Sequence, residues 1–557
     1  MRVIGIDLGT TASVVATTNN DGCATVLKLD NGYTTVPSVV NYSEDFPIVG
    51  RSALLKSEDT VLTVKRAMGT NEKFCNRTPV EISADILSFL KKSAERNLGE
   101  KIDSAVITVP AHFSELQRIA TKQAASLAGI KVLRLINEPT AAAMAFGLNK
   151  NGVFAVYDLG GGTFDFSVLR IVDGIFQVLA TGGDNYLGGN DIDKIISEEN
   201  IKRNNINKLS DIEEKSGMLL AKYLKEHLQD NQSITADFEH NDQKYQFVLD
   251  QNLLQKAIDN LLQKTLTISK QVLDDANTEH LDGIVLVGGM TKLQLVRNFV
   301  KQNFSDIQIF DNINPEEVVA LGAAIQAQSI INQNTGVLLI DVVPLTLGIE
   351  TYGGGVDKII HRNTPIPISE KRQYTTYQNN QTGIKFRVVQ GESPLASECR
   401  SLANFELKGI PPMPAGVANI VVNFSVDVNG LLTVTAKELS TGVEQTVVVE
   451  PSDGLSDSDM ITMLEKSFTN REIDNDKARN IELVVDTNRA IVFWKTILNE
   501  LSKNERKEVV QLIDEMEENI QQEQYDKLVE NSQKADHIVG KFIDDIINNH
   551  LCGKRVK

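Results

Sequence analysis

The sequence predicts three structural parts: a duplicated α/β domain, an antiparallel β-sandwich and a C-terminal helical subdomain. Residues 1–335 alternate apolar strand-like runs with helical periodicity, which is typical of α/β layers. Eight of the fourteen prolines fall at positions 344–451, where they bracket short alternating runs that indicate strands. After Gly454 no proline follows, and apolar residues recur at helical spacing.

Two stretches of the α/β part share one pattern and indicate the duplication. Val3–Thr11 and Val156–Asp165 each run from an apolar strand into an Asp, a glycine turn and a hydroxyl residue. Glycine turns expose backbone N–H groups to a phosphate, and an Asp at a strand end can hold a hydrated Mg²⁺. A single such turn is more often structural, but two matched copies favour loops that hold a triphosphate from both sides. Neither is a Walker loop, because no GxxxxGK[ST] motif occurs there.

The other elements of the α/β part follow in order. Ser104–Pro110 is predicted to be a buried strand, Arg118–Ala128 a helix, and Gly283–Val287 another strand. The last strand enters the turn Gly288–Gly289, a candidate third ligand loop, although a lone Gly-Gly pair is more often structural.

The character of the chain changes at Val337–Asp341, an apolar segment in a position where linkers are normally polar. A plain loop of this composition would expose apolar side chains to water, which is unfavourable. We therefore expect a strand that docks in one state and is released in another. On the sequence alone, a simple loop remains the alternative.

The last two parts have their own signals. The β-sandwich strands are predicted at Ile384–Val389, Ile420–Val426 and Leu431–Ala436. Asn429–Gly430 is predicted to form a two-residue hairpin turn. In the C-terminal part, Ser456 and Asp459 offer a start similar to a capping box, and the periodicity indicates about four helices.

Composition limits the classes of partner. The 557 residues carry 56 basic and 74 acidic side chains, a net charge of −18, which disfavours nucleic acid and anionic membranes. The four cysteines are scattered without a CxxC pair, as expected for reduced thiols. The first strand begins at Arg2 or Val3, which leaves no room for a signal or transit peptide, and no apolar run is as long as a membrane span. We expect a cytoplasmic, bacterial-type protein with no nucleic-acid or membrane partner.

The order of the parts, together with five motifs, resembles the 70 kDa heat-shock chaperone family along essentially the whole chain. The motifs are Gly5–Thr11, Asn137–Ala143, Asp158–Asp165, Gly182–Gly189 and Leu286–Gly289. The resemblance implies an actin-like ATPase domain with a duplicated ribonuclease H-like fold, a linker, a peptide-binding β-sandwich and an α-helical lid. Their boundaries are placed at 1–336, 337–343, 344–454 and 455–557.

The resemblance also implies the roles of residues in an ATPase site that converts ATP and water to ADP and phosphate. Asp7 and Asp158 would bind Mg²⁺ through water, with K⁺ as a further ion. Lys65 would neutralise charge on the transferred phosphoryl group, while Glu138 and Asp165 would orient the attacking water. The catalytic set also includes Thr163. The other nucleotide-binding positions are Thr10, Thr11, Gly160, Gly161, Gly162, Lys225, Gly288, Gly289 and Lys292.

Departures from the family pattern bear on nucleotide exchange. Met290 and Lys292 stand where the family usually has a serine and an arginine near the adenine, and the helix around Lys225 lacks an adenine-stacking arginine. A lost stacking cation removes about 0.5–2 kcal/mol of binding free energy, so we expect weaker ATP and ADP binding and faster exchange. The chain is also short after Gly69, beside the nucleotide cleft, so an exchange factor would not be required.

Further matched positions concern the relay of the nucleotide state and the peptide groove. The relay positions are Pro110, Arg118, Leu338, Leu339 and Asp341, and the last of these also matches a position of J-domain stimulation. The groove positions are Ile349, Thr351, Tyr352, Tyr377, Ile384 and Phe386.

Tyr377 indicates a branch of the family. General members commonly carry a small residue there, and the aromatic, together with Cys399–Ala403 and Leu407–Pro411, resembles the HscA type, the chaperones of iron–sulfur cluster assembly. That type binds a Leu-Pro-Pro-Val-Lys-like segment of the scaffold protein IscU and works with a J-domain co-chaperone of the HscB type. The alternative for Tyr377 is that it packs on the sandwich. We expect a monomer in which ATP binding docks Val337–Ile340 and opens the groove.

Three other functions remain open on the sequence alone. A general protein-folding chaperone of the same family would bind many apolar peptides. A sugar or acid kinase would use the same paired phosphate loops, but it gives no reason for a β-sandwich and a lid. A scaffold that binds ATP without hydrolysing it would not need Lys65, Glu138 and Asp165.

Overall fold

The computed structural model describes most of the chain. The described residues are 2–19, 23–29, 32–44, 46–56, 58–147, 150–228, 231–241, 243–278, 280–332, 338–448, 480, 483–484, 487–488, 490–491, 494–495, 498, 501–522, 524–535 and 538–539. The chain divides into two compact units. The first comprises Met1–Leu347, Ile359–Phe386 and Leu402–Ile461, and the second comprises Gly348–Lys358, Arg387–Ser401 and Thr462–Lys557.

The strands follow the predicted alternation in the first part of the chain and dominate after it. The strands up to the linker are β1 (Arg2–Asp7), β2 (Ala12–Thr18), β3 (Ala24–Val26), β4 (Thr35–Pro37), β5 (Val40–Asn41), β6 (Ile48–Val49), β7 (Thr60–Val61), β8 (Ile102–Val109), β9 (Lys131–Asn137), β10 (Gly152–Leu159), β11 (Phe164–Val172), β12 (Ile175–Asp184), β13 (Ser233–His240), β14 (Gln243–Asp250), β15 (Gly283–Val287), β16 (Ile309–Phe310) and β17 (Leu338–Val342). The later strands are β18 (Leu347–Glu350), β19 (Val356–Ile360), β20 (Pro365–Ile366), β21 (Ile368–Tyr374), β22 (Gly383–Gln390), β23 (Arg400–Lys408), β24 (Ile420–Val426), β25 (Leu432–Glu438) and β26 (Glu444–Val448).

Helices separate the strands of the α/β part. They are α1 (Arg51–Leu54), α2 (Pro79–Leu98), α3 (Glu115–Leu127), α4 (Glu138–Gly147), α5 (Gly189–Arg203), α6 (Asp211–Leu228), α7 (Gln251–Ala276), α8 (Gln294–Asn303) and α9 (Val318–Ile331). Two 3₁₀ turns, Val64–Ala67 and Gly289–Lys292, lie next to predicted site residues.

Two sheets form the core of the α/β part. One has the strand order β3-β2-β1-β8-β9, with β4 paired to β2, and the other has the order β16-β15-β10-β11-β12-β17-β20. β1 pairs antiparallel with β2 and parallel with β8, and β10 pairs in the same way with β11 and β15. α9 packs on β1, α4 packs on β10, and the two helices contact each other. Both predicted phosphate loops therefore follow equivalent strands, each near the middle of its sheet.

The helix predicted at Arg118–Ala128 begins three residues earlier, at Glu115. Ser114 caps it, because its side-chain oxygen accepts from the Gln117 N–H at 3.4 Å and Gln117 Oε1 accepts from the Ser114 N–H at 2.9 Å. This reciprocal capping box stabilises the first turn and places Arg118 inside the helix.

β17 contains most of the predicted linker. It runs parallel to β12, with Leu338 opposite Ile175, and antiparallel to β20, with Asp341 opposite Ile366. Its first three residues thus pair with β12 and its last two with β20. Val337, the first residue of the predicted linker, lies outside the described residues.

The sheet β21-β24-β25-β26 is antiparallel throughout and belongs to the first unit. The prediction of a two-residue turn at Asn429–Gly430 is wrong, because β24 and β25 are joined by the longer loop 427–431. Asp427 explains the difference: its Oδ1 accepts from the backbone N–H groups of Asn429 and Leu431 at 2.8 and 2.9 Å. This carboxylate cap favours the longer loop over a tight turn.

In the second unit, β18 is followed by the turn Thr351–Gly355, closed by a hydrogen bond from the Thr351 N–H to the Gly355 carbonyl at 2.8 Å. Its C-terminal part contains the helix α10 (Lys503–Gln521), which packs with the buried Trp494 in an apolar cluster. The predicted start of this part at Ser456 and Asp459 lies outside the described residues. No helix in the described part of the chain is long and apolar enough to cross a membrane.

Candidate functional site

The two glycine turns predicted to hold phosphate lie against each other. A Cβ added to Gly161 would lie 2.4 Å from Thr11 Cγ2, and one added to Gly162 would lie 2.4 Å from Thr10 Cγ2. Such a close approach requires glycine, because any other residue would need that space for its side chain. Thr10 and Thr163 are both buried. The first loop therefore presents its threonines directly to the backbone of the second.

Buried carboxyl groups gather at the ends of the strands that carry these loops. Asp7 ends β1, and its Oδ1 accepts from Thr108 Oγ1 at 2.9 Å. Asp158 and Asp165 lie directly opposite each other in the antiparallel pair β10–β11, and Glu138 begins α4. The structure thus brings together the predicted metal-binding and catalytic carboxyl groups.

Burial without enough positive charge disfavours ionised carboxylates at this site. Burial, with the nearby charge of Glu138, raises the pKa of Asp7 to about 7 and the pKa of Asp165 to about 8. The pKa of Asp158 is raised well above its ordinary value by burial and then by the charges of Glu138, Asp165 and Asp7. The site would therefore be stabilised by a ligand that brings positive charge.

Lys65 lies among these carboxyl groups on the 3₁₀ turn Val64–Ala67. Its Nζ contacts Glu138 Oε1 at 2.5 Å, and both side chains are less than one tenth exposed. The ammonium also lies 5.6 Å from the centre of the Phe113 ring. Removing one partner of such a buried pair costs about 3–5 kcal/mol, so the pair fixes the direction of the lysine in the site.

Asp165 has one oxygen engaged and one unpaired. Its Oδ1 accepts from the His112 backbone N–H at 3.2 Å, while Oδ2 is buried without a hydrogen-bond partner among the described residues. An unsatisfied buried oxygen costs free energy unless a bound molecule donates to it. Asp165 Oδ2 is therefore suited to accept a hydrogen bond from a bound water.

His112 was missed by the sequence analysis, and its ring is buried beside the same segment. Burial, followed by the charges of Arg362 and Arg118, lowers the pKa of His112 to about 4. The imidazole is consequently neutral near pH 7. No motif in the sequence distinguishes this histidine from an ordinary core residue.

Arg66 was also missed, although it follows Lys65 directly. Its guanidinium donates to the Gly162 carbonyl and to the carboxylate of Asp191. The residue thus connects the first half of the α/β part to the second glycine loop. The adjacent basic pair in the sequence is the one signal that could have drawn attention to it.

The third glycine turn packs against the second phosphate loop. Gly288 has a φ of 84°, and its N–H donates to the Pro315 carbonyl at 2.9 Å. A Cβ on Gly288 would lie 2.3 Å from the Leu159 carbonyl oxygen. The turn is therefore part of the same cluster of loops, with Gly289 following it at the start of a 3₁₀ turn.

The two lysines predicted near the nucleotide base already have protein partners. Lys225 Nζ pairs with the buried Asp193 at 2.6 Å and donates to the Gly189 carbonyl at 3.0 Å. Lys292 Nζ pairs with the exposed Glu316 at 2.6 Å. These pairs direct both ammonium groups to carboxylates of the protein.

A line of hydrogen bonds runs from the residue next to Glu138 to the linker strand. Asn137, which precedes Glu138, donates through Nδ2 to both oxygens of Asp341, at 3.0 and 2.9 Å. Its Oδ1 accepts from Arg118 at 2.7 Å. All of these side chains are buried, so the linker strand is held directly by the residue next to Glu138.

Arg118 is fixed by backbone carbonyls as well as by Asn137. It donates to the carbonyls of Ala111 and Phe113, at 3.2 and 3.3 Å. Pro110, the first residue of this turn, accepts from the Phe113 N–H at 3.2 Å. Pro110 therefore lies in the turn between β8 and α3, and Arg118, in the first turn of α3, binds the carbonyls of that connection. Of the predicted linker positions, Asp341 is joined to Arg118 through Asn137.

The loop 427–431 docks on the same region. Asn429 Oδ1 accepts from the Leu135 N–H at 3.1 Å, and the Leu432 N–H donates to Glu115 Oε1 at 2.6 Å. Burial raises the pKa of Glu115 to about 8.

The two predicted relay leucines of the linker strand differ in burial. Leu339 packs against the apolar cluster around β12, and Leu338 is half exposed.

The predicted peptide-groove residues are divided between the two units. In the first, Phe386 is buried and stacks on Phe405 with ring centres 5.2 Å apart, Ile384 is half-buried, and Tyr377 is 60% exposed. In the second, Ile349 is buried, Thr351 is half-buried and Tyr352 is exposed. The exposure of Tyr377 argues against the interpretation that it simply packs on the sandwich.

Within the described ranges, no group of three or more His, Cys, Asp or Glu side chains is arranged to hold a metal ion directly. Mg²⁺ usually keeps several of its waters and binds through one or two carboxylates and phosphate oxygens, so water-mediated binding needs no such group.

Comparison with known proteins gives a consistent result along the chain. The family model described as Hsp70 protein matches residues 3–76 and 70–549. The chain is 42% identical to a protein of Aliivibrio salmonicida named "Chaperone protein HscA homolog", over 92% of this chain and 89% of that protein. Proteins of the same name from Cupriavidus metallidurans and Laribacter hongkongensis are 40% and 44% identical, over 100% and 88% of this chain and 96% and 84% of their own lengths.

The family match covers both phosphate loops, the linker strand and the strands that follow it. Identity of about 40% extends over nearly the full length of the relatives. The chain therefore belongs to the Hsp70 family.

Proposed function

We propose that this protein is an ATP-hydrolysing chaperone that binds a short extended segment of a client protein with an affinity controlled by the nucleotide. The observation that carries the proposal is the contact of Asn137 with Asp341, because it joins the neighbour of Glu138 to the linker strand. A kinase of the same fold would have no need for a strand that links its site to a β-sandwich.

The hydrolytic step is assigned to the buried groups described above. Lys65, oriented by Glu138, lies where it can neutralise charge on the transferred phosphoryl group. Asp165 Oδ2, which lacks a partner within the described part of the chain, can accept a hydrogen bond from the attacking water. The facing loops of Thr10, Thr11 and Gly160–Thr163 can hold the phosphates.

The excess of buried carboxyl groups also fits a cation. The raised pKa values of Asp7 and Asp158 reflect burial and mutual repulsion, and a bound cation would relieve both. We assign these two residues to Mg²⁺, held through water, with K⁺ as a second ion near them. Mg²⁺ would supply positive charge to the phosphate oxygens during hydrolysis.

The coupling between nucleotide and peptide requires that the nucleotide bind the two states of the protein with different affinities. A nucleotide shifts a two-state equilibrium only if it binds the two states unequally. In the proposed cycle ATP favours the arrangement in which β17 is paired and the peptide site is open, and hydrolysis releases the strand and closes the site. The hydrogen bonds of Asn137 and Arg118 are the route by which the site senses the strand.

The proposed client is the iron–sulfur scaffold IscU, and the proposed co-chaperone is a J-domain protein of the HscB type. The relatives named HscA homolog support this branch of the family, as does the exposed aromatic at Tyr377. The residues proposed to contact the peptide are Ile349, Thr351, Tyr352, Tyr377, Ile384 and Phe386. Because the described residues hold no cluster of metal-ligating side chains, a part in cluster assembly would be played through the client.

The test is a binding titration with a labelled Leu-Pro-Pro-Val-Lys peptide, with ADP and with ATP. We expect roughly tenfold weaker binding with ATP, the usual size of such coupling. Asn137→Ala should abolish the difference, whereas Asn151→Ala, which removes an exposed asparagine bound to Asp173, should keep it. Equal affinity with both nucleotides in the unmodified protein would contradict the proposal. Similar affinity for many unrelated apolar peptides would favour a general chaperone.

A further inference from the structure

Lys65 and Arg66 are neighbours on one 3₁₀ turn, but their side chains lead to different halves of the α/β part. Lys65 pairs with Glu138, at the start of α4 in the first half. Arg66 reaches the second half, where Nε and Nη2 donate to the Gly162 carbonyl at 3.0 and 2.7 Å. The turn that carries the lysine is thereby tied to the second phosphate loop.

The contact at Gly162 has a consequence for the next residue. In a trans peptide the carbonyl of one residue and the N–H of the next lie in one plane and point in opposite directions. Two hydrogen bonds from Arg66 to the Gly162 oxygen therefore also fix the direction of the Thr163 N–H. This N–H belongs to the loop that is proposed to hold the phosphates.

The same guanidinium binds a second part of that half. Nη1 and Nη2 donate to Asp191 Oδ1 and Oδ2 at 3.0 and 2.6 Å, a bidentate pair. Asp191 Oδ2 also accepts from the Gly188 N–H at 2.8 Å, at the start of α5. The Gly188–Asp191 turn in turn contacts the phosphate loop, since the Asn190 N–H donates to the Gly161 carbonyl at 2.8 Å.

Tyr186 completes the arrangement around Arg66. Its hydroxyl donates to the Arg66 carbonyl at 3.2 Å, and its ring centre lies 5.7 Å from the guanidinium carbon. The side chain of Arg66 is 18% exposed, so water competes little for these bonds. A planar guanidinium with several fixed donors suits this position, and a lysine could make only some of these hydrogen bonds.

We propose that Arg66 is a positioning residue for ATP hydrolysis, which sets the place of Lys65 relative to the Thr163 loop by binding Gly162 and Asp191. Its role is indirect, because its guanidinium is bound by Gly162 and Asp191. The inference rests on the proposed function, because it needs the protein to hydrolyse ATP at this site. A displacement of about 1 Å in a reacting group can cost a hundredfold in rate. Hydrogen bonds that fix the distance between Lys65 and the Thr163 loop therefore matter for catalysis.

The experiment measures single-turnover hydrolysis and ATP affinity separately in the full-length protein. Arg66→Ala should lower the rate of hydrolysis by about ten- to a hundredfold and change ATP affinity much less. Arg66→Lys should recover part of the rate. Asp191→Ala alone should also slow hydrolysis. In the Arg66→Ala background the same Asp191→Ala change should slow hydrolysis by a smaller factor, because the two residues share one pair of bonds.

Arg51→Ala is the matched control. Arg51 is a partly buried arginine in the same half of the α/β part, where it donates to the Thr35 carbonyl at 2.6 Å, and it has no contact with the phosphate loops among its described bonds. A loss of rate in Arg66→Ala no larger than in Arg51→Ala would overturn the inference, as would a loss of ATP affinity equal to the loss of rate.

The two proposals fail in different ways. If the unmodified protein does not hydrolyse ATP, the proposed function is wrong. If it does, and Lys65→Ala abolishes hydrolysis while Arg66→Ala does not slow it, only the positioning role is wrong. Thermal unfolding of each variant, measured alongside, tells a folding defect from a catalytic one.

Discussion

The side-chain amide of Asn137 donates to both carboxylate oxygens of Asp341, across 204 residues of sequence. Asn137 ends β9 and precedes Glu138, while Asp341 lies in β17. Burial raises the pKa of Asp341, and the hydrogen bonds to Asn137 and the Val342 N–H oppose that shift. The linker strand is thus held by a polar contact in the interior as well as by its pairing with neighbouring strands.

Replacing Asp341 should loosen the linker strand. In Asp341→Asn one carboxylate oxygen becomes an amide donor that faces the Asn137 donor, so one hydrogen bond is lost and two N–H groups are opposed. We expect faster cleavage of residues 338–342 by a protease in the presence of ATP. Asp173→Asn, at an exposed aspartate bound to Asn151, is the control. Unchanged cleavage in Asp341→Asn would mean that this contact does not hold the strand.

Lys65→Ala should reduce the rate of ATP hydrolysis by roughly 10²–10³, the usual loss for a preorganised electrostatic donor. The measurement is single-turnover hydrolysis, with ATP binding followed separately. Lys56→Ala removes a lysine whose partner Glu44 is exposed and should have no effect. An unchanged rate in Lys65→Ala would remove this residue from the catalytic site.

Alanine at Gly161 or Gly162 should destabilise the protein even without nucleotide. The new methyl group would meet Thr11 or Thr10 at 2.4 Å, and overpacking of this kind costs about 1–3 kcal/mol of unfolding free energy. At Gly160 the added Cβ would meet only the Thr163 carbonyl oxygen, at 3.6 Å, so Gly160→Ala should unfold like the unmodified protein. Denaturant unfolding of the three variants compares them directly. Equal stability of all three would show that the loops are not in contact.

The free energy of unfolding should fall as the pH rises towards 8, because Glu115 is buried in the folded protein. Burial raises the pKa of Glu115 from 4.5 to about 8, although the N–H of Leu432 and the charge of Arg118 oppose the shift by favouring the ionised form. The contribution of Glu115 is complete below pH 4.5 and is lost as the pH rises through 8. Glu115→Gln should remove this part of the dependence between pH 6.5 and 8. Denaturant unfolding of the two proteins at each pH measures it.

His112 gives the opposite slope at lower pH and sets the lower limit of that window. Burial, followed by the charges of Arg362 and Arg118, lowers its pKa from 6.5 to about 4, so its contribution to the free energy of unfolding is present above pH 6.5 and is lost as the pH falls through 4. If the unfolding free energies of the unmodified protein and of Glu115→Gln differ by the same amount from pH 6.5 to 8, the role given to Glu115 is contradicted.

The sequence predicts the strands and the glycine turns well, because local periodicity and turn chemistry encode them. Where the prediction is wrong, a side chain acts on the nearby backbone: Gln117 extends α3 towards its start, and Asp427 lengthens the loop after β24. Arg66 and Asn137 could not be assigned their roles. Their partners lie 125 and 204 residues away, and no local pattern encodes such a contact.

β17 pairs with its two neighbours through different residues, so its release can begin at one end. Residues 338–340 pair with β12, and residues 341–342 pair with β20. Loss of the first pairing would leave an edge of β12 unpaired, and bare edges invite pairing with other chains. Mutations that fray residues 338–340 should therefore appear as aggregation as well as a loss of coupling.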